Sequence, residues 1–170
     1  MSASIHIAID NVSPRLEKLL RRGGESHDAL LAIGTQLTSI ASRAFSDPGM
    51  RIAAWDARKK TKFVANTKRP GRQKLVTESG GSTNQLLKKS GALLQSIGRA
   101  PIITGNSVSV GSDRPYAAIH QFGGKAGRGH KVTILARPFF PFNKSGAMAP
   151  WAMEKVAKAA EAAMRKKLEI

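Results

Sequence analysis

The stretch that decides the fold runs from Leu86 to Phe142: LLKKSGALLQSIGRAPIITGNSVSVGSDRPYAAIHQFGGKAGRGHKVTILARPFFPF. It opens with a helical pattern from Asn84 to Ile97, with Leu86, Leu87, Leu93, Leu94 and Ile97 apolar. Ser90-Gly91 in its middle is costly for a helix, so close packing is expected there. Residues 100–104 and 107–111 then flank Gly105-Asn106, a favourable pair for a tight hairpin turn. Ile103, Val108 and Val110 supply the core side of that hairpin. Pro115 starts a short helix, Tyr116 to Phe122, and Gly123-Gly124 ends it. Residues 125–131 read as a basic, glycine-rich loop. Val132 to Leu135 reads as a strand, ended near an edge by Arg137-Pro138.

Working outward, Ile5, Ile7 and Ile9 alternate with Ser4, His6 and Ala8, the pattern of a short strand with one apolar face. Ser13-Pro14 opens a helix with Leu16, Leu19 and Leu20 on its apolar side, and Gly23-Gly24 interrupts it. In the next helix Leu30, Ile33, Leu37, Ile40 and Ala44 line one face. His27-Asp28 is a helix-start pair, and Asp47-Pro48-Gly49 is a stop signal. Trp55 stands alone after it. A last helix begins near Ala149-Pro150, with Met153, Val156, Ala160, Met164 and Leu168 on one face.

Residues 56–83 differ from the rest. Arg58, Lys59, Lys60, Lys62, Lys68, Arg69, Arg72 and Lys74 stand against Asp56 and Glu78. Pro70-Gly71 and Ser79-Gly80-Gly81-Ser82 break regular periods, so the segment reads as a long basic loop. The fold class expected for residues 1–170 is a single α+β domain. A small, mainly antiparallel sheet or partial barrel packs with two longer helices, and the basic loop extends from it.

The bulk numbers bound the function. With 170 residues and 41% hydrophobic content the chain is a one-domain globular protein, not a disordered one. No run approaches the roughly 20 apolar residues a membrane span needs, and the opening MSASIHIAIDN has no secretory pattern. The absence of Cys removes disulfides and thiolate metal sites, as suits assembly in a reducing cytoplasm. Lys+Arg 28 against Asp+Glu 11 gives a net charge of +17. Such an excess concentrates polyanions at the surface, whether DNA, RNA or acidic protein, without choosing among them.

Catalytic signatures are weak. His6, His27, His120 and His130 have no ligand-like spacing, and no HExxH is present, so no metal site is expected. His120, between an apolar helix and glycines, lacks an acidic partner or nucleophile at a recognisable offset. The glycines of GGKAGRGH do not match a P-loop, because Ala126 follows the Gly-Lys pair. The basic loop has no interleaved aromatics to stack bases, leaving backbone contact as its mode of meeting DNA. The run Arg137 to Phe142 holds three of the 6 Phe. It suits either a core or an aromatic anchor between subunits.

The order of these pieces carries a resemblance. Lys89-Ser90-Gly91-Ala92-Leu93, then Tyr116-Ala117-Ala118-Ile119-His120-Gln121-Phe122-Gly123, then Ala136-Arg137-Pro138-Phe139 resembles the phage virion morphogenesis family. That family includes Mu-like G proteins and tail-completion S proteins, and the similarity spans roughly residues 4–165. Leu135 departs from it, since members often carry Pro there. The resemblance implies a structural protein of the virion neck or tail end of a tailed phage. It would complete the tail, as a tail terminator does, or act as a head–tail connector. Related proteins form rings, commonly a hexamer ring. It implies no enzyme activity and no cofactor.

The implied partners are further copies of this chain, neighbouring neck, connector and tail-tube proteins, and packaged DNA by non-specific contact, with no membrane. Tyr116, His120, Phe122, Arg137, Phe139, Phe140 and Trp151 are the assembly candidates. The basic residues of 56–83, with Lys125, Arg128 and Lys131, are the candidate contacts to DNA or acidic protein. The competing class is a non-specific DNA-binding protein acting through these basic loops.

Overall fold

A computed structural model describes residues 3–7, 27–56, 59–65, 73–79, 86–88, 90–105 and 107–168. The helix expected after Ser13-Pro14 lies outside the described residues, as does Asn106. The architecture is α+β, and the described strands form small antiparallel sheets with no closed barrel among them.

The main sheet has three strands in the order β1-β5-β4: β1 is Ala3–Ile7, β4 is Ile102–Thr104 and β5 is Ser107–Ser112. The β4–β5 register pairs Thr104 with Ser107, so two positions separate the paired strand ends. Along β5, Val108, Val110 and Ser112 are buried and their neighbours are not, the two-residue period of a half-buried strand. Helix α1, His27–Ala44, packs on this sheet. Its expected stripe of Leu30, Ile33, Leu37, Ile40 and Ala44 is buried throughout. Helix α4, Pro150–Leu168, packs along α1 and buries Ala152, Val156 and Ala160 at four-residue spacing, while Met153 and Met164 lie at its margin.

Three expectations need correction. The helix expected over 84–97 is confined to α2, Ala92–Ile97. Leu87 and Gly91 have positive φ, 63° and 70°, which no continuous right-handed helix accommodates. The segment expected as a long basic loop contains an antiparallel ladder of β2, Lys59–Ala65, and β3, Gln73–Ser79. Thr61, Phe63, Val64, Leu75, Val76 and Thr77 are good strand formers, and Pro70-Gly71 punctuates the connection between two strands. The basic glycine-rich loop expected over 125–131 lies in a second small ladder, β6, Gly124–Ala126, with β7, Val132–Ile134. A single 3-10 turn, Arg128–His130, joins them.

Helix α3, Ala117–Phe122, ends as expected at Gly123, which has φ +70° and ψ 174°. A side chain there would place Cβ 3.0 Å from the Ala136 nitrogen and 3.1 Å from the Ile134 oxygen, both rigid backbone. Gly123→Val is therefore expected to cost about 2–4 kcal/mol through strain and crowding together. Thermal unfolding followed by circular dichroism checks this, and an unchanged melting temperature refutes the cap.

Candidate functional site

Residues 137–142 follow no strand, yet Pro138, Phe139, Phe140, Pro141 and Phe142 are buried. A buried backbone outside a ladder must find other hydrogen-bond partners. Most of them come from one side chain. Gln121 is 3% exposed and lies one turn beyond buried Ala117 on the inward face of α3. Its Nε2 donates to the Phe140 carbonyl at 3.0 Å and the Phe142 carbonyl at 3.1 Å. Its Oε1 accepts from the Phe139 and Phe140 N–H groups, each at 3.0 Å. The amide thus uses both donors and both acceptor lone pairs.

The rest of the segment is held in the same way. The Arg137 N–H donates to the His120 carbonyl at 2.7 Å, and the Ala149 N–H donates to the Pro141 carbonyl at 2.9 Å. Trp55 Nε1 donates to the Pro138 carbonyl at 2.9 Å across 83 residues of sequence. The Trp55 ring meets Phe45 edge-on, with centroids 5.8 Å apart. Phe45 meets Phe139 at 5.5 Å, and Phe139 meets Phe140 at 5.2 Å. Arg51 closes the far side. Its Nε caps the last turn of α1 by donating to the Ala44 carbonyl at 2.7 Å, and its guanidinium lies 4.0 Å over the Trp55 ring. Burial lowers the Arg51 pKa, and the nearby Asp47 charge opposes that shift.

The assembly candidates therefore separate. Phe139 and Phe140, at 1% and 3% exposure, belong to the protomer core and not to its surface, because the aromatic cluster and Gln121 enclose them. Phe122 and Trp151 are half-buried; Lys155 Nζ sits 5.6 Å from the centre of the Trp151 ring. Tyr116, 39% exposed, stands edge-on to His120 with centroids 5.9 Å apart. These two share an open cleft of about 200 Å³ with Leu87, Ser90 and Leu93. Hence the Ser-Gly motif and the Tyr-Ala-Ala-Ile-His motif, 25 positions apart in the chain from Gly91 to Tyr116, meet at one place.

His120 has its pKa lowered, first by desolvation and then by the Arg137 charge, so it is neutral at pH 7. Its Nδ1 is buried with no partner among the described residues. Arg137 donates from Nη2 to the Asp56 carbonyl at 3.3 Å. Among the described residues no group of three His, Cys, Asp or Glu is placed to hold a metal ion. None of the described helices is long and apolar enough to cross a membrane.

The basic candidates fall on two hairpins. Lys125, Arg128 and Lys131 are exposed on the β6–β7 hairpin. Lys59, Lys60, Lys62 and Lys74 lie on the β2–β3 ladder, while Arg58, Lys68, Arg69 and Arg72 fall outside the described residues.

The sequence reading missed Gln121, Trp55 and Arg51 as organisers of this region. Gln121 carried a usable signal, a polar residue four after Ala117 on the inward face of a short helix. Trp55 carried none, because its hydrogen-bond partner Pro138 is 83 residues away, and Arg51, which acts locally on Ala44 and Trp55, falls on no periodic pattern.

Comparison with known proteins places this architecture. The model of the phage virion morphogenesis family matches residues 7–149, a span that includes α1, strands β4 and β5 of the main sheet, Gln121 and the segment it holds. The Mu-like prophage FluMu G protein 2 of Haemophilus influenzae is 74% identical over 34 residues, which cover 20% of this chain and 25% of that protein. The matched stretch thus spans about a quarter of that relative's length. No solved structure matches the chain. With the family's model covering most of the sequence, the chain belongs to the phage virion morphogenesis family.

Proposed function

We propose that this chain is a structural subunit that forms a ring at the neck or tail end of a tailed phage, where it completes the tail or joins it to the head. Membership of the family supports a role in building the virion. The observation that carries the ring is a sheet edge on which no further strand pairs among the described residues. β4 borders the main sheet on that side, and its Ile102 is 68% exposed. An apolar residue on such an edge invites addition of another chain. Val132 and Leu135, at 53% and 39% exposure, offer further apolar surface at β7 and just after it. Two different patches on one subunit make a head-to-tail contact, which closes into a ring when the rotation between copies closes.

The test is direct. Purified virions should contain multiple copies of the chain by quantitative mass spectrometry, and images of the neck should show it as a symmetric ring. Virions lacking the chain, or holding it only as a monomer, would sink the reading. Ile102→Lys should weaken self-association of the purified protein in sedimentation while leaving its melting temperature unchanged. An unaltered sedimentation profile would remove β4 from the interface.

A further inference from the structure

We infer that the β2–β3 ladder is a ribbon that binds the phosphate backbone of duplex DNA. Three observations carry this. First, the two strands pair over seven residues each, from Lys59 opposite Ser79 to Ala65 opposite Gln73. No other described element makes an extended contact with either strand. A two-stranded ribbon by itself is marginal in water, so a partner that orders it adds what the described elements do not supply.

Second, the charge is local. The strands carry Lys59, Lys60, Lys62 and Lys74 against one carboxylate, Glu78, which stands opposite Lys60. The sequence that joins them adds Lys68, Arg69 and Arg72 and no acid. Third, the geometry fits. By the register, Lys60, Lys62 and Lys74 fall on one face of the ribbon and Lys59 on the other. The major groove, about 12 Å wide, admits a two-stranded ribbon. A duplex offers both that groove and a dense row of negative charge on either side of it, which is why DNA is the assigned partner. This binding does not depend on ring formation, and its test does not read the oligomeric state.

The experiment is fluorescence anisotropy of the full chain with a 20-base-pair duplex of arbitrary sequence (about two helical turns) across a series of KCl concentrations. The parent is expected to bind with a steep salt dependence. The variant Lys59→Gln/Lys60→Gln/Lys62→Gln/Lys74→Gln should bind at least about tenfold more weakly at low salt, and its log–log slope should fall by about 3 to 4. A control variant removes four exposed charges elsewhere, Lys144, Lys158, Arg165 and Lys166. It should retain nearly the parent's slope. Equal losses in the two variants would show that bulk charge alone attracts DNA and would overturn the assignment. Equal or tighter binding to poly-glutamate would move the ribbon to an acidic protein surface and overturn it as well. Should the fourfold variant fold poorly, Lys62→Gln and Lys74→Gln alone should each lower the slope by about 0.9. No change in either would have the same overturning force.

Discussion

Gly34→Ala is expected to destabilise the protein severely, although the same exchange in a helix interior ordinarily adds about 1 kcal/mol of stability. Gly34 is buried in the middle of α1, where the helix crosses the β4–β5 hairpin. A Cβ there would lie 2.7 Å from Pro101 Cγ and 2.7 Å from Val108 Cγ2, and would also meet Pro101 Cβ. Val108 is 1% exposed and Pro101 has a fixed ring, so neither yields without moving the hairpin. Overpacking of this kind costs about 1–3 kcal/mol, or more when several atoms collide. At about 2–4 °C per kcal/mol for a chain of this size, the melting temperature should drop by roughly 5–10 °C. Combining Gly34→Ala with Pro101→Gly, which removes the ring, should cost less than the sum of the two single changes. Strict additivity in that cycle would show that the crossing is not as close as described.

Much of this fold was legible because its long elements repeat a simple period. The stripe of α1 and the two-residue alternation of β5 need only local sequence to be read, and the structure buries both. The β2–β3 ladder was obscured because seven Lys and Arg surround its few strand formers between Arg58 and Arg72. Charge density there reads as a loop, and the alternating strand formers between the charges are what betray the ladder. Leu87 fits a helical period because periodicity is blind to backbone sign, and its φ of 63° shows only in three dimensions.

The candidate site was legible as motifs but not as a mechanism. Tyr116, His120 and Arg137 were singled out from their motifs, and the structure brings the first two into one cleft, with Arg137 beside His120. What joins the motifs is long-range. Trp55 reaches Pro138 across 83 residues, and Gln121 reaches four backbone groups 18 to 21 residues away. Pairings of that kind leave no periodic trace. The Phe residues also look the same in sequence whether they close a core or anchor a neighbour. The burial of Phe139 and Phe140 decides for the core, whereas Tyr116 and Ile102 are exposed.

Gln121→Leu should be among the most damaging single changes in the chain. It keeps the volume but removes all four hydrogen bonds to the 139–142 backbone. Those groups sit among Phe139, Phe140 and Phe142, each under 5% exposed, where water does not replace the lost partner. Each buried group left unpaired costs about 1–3 kcal/mol. The expected loss is about 4 kcal/mol or more, a large part of the roughly 5–15 kcal/mol that stabilises a typical domain. Gln121→Glu separates hydrogen bonding from packing. It retains the acceptors for Phe139 and Phe140 N–H but turns a carboxylate toward the Phe140 and Phe142 carbonyls. That environment raises the pKa of the acid in the folded state. The folded variant then binds a proton more tightly than the unfolded chain, so its stability falls as pH rises. Its melting temperature, relative to the parent, should recover toward pH 4–5, where the protonated acid donates to one of the two carbonyls. A Gln121→Leu protein that melts within a few degrees of the parent would refute the clamp, and a Gln121→Glu deficit independent of pH would show that charge has no part in it. If the clamp is confirmed, the segment that carries Arg137 depends on this one amide. Phage morphogenesis with Gln121→Leu should then fail at the folding of the subunit, before any contact between subunits is tested.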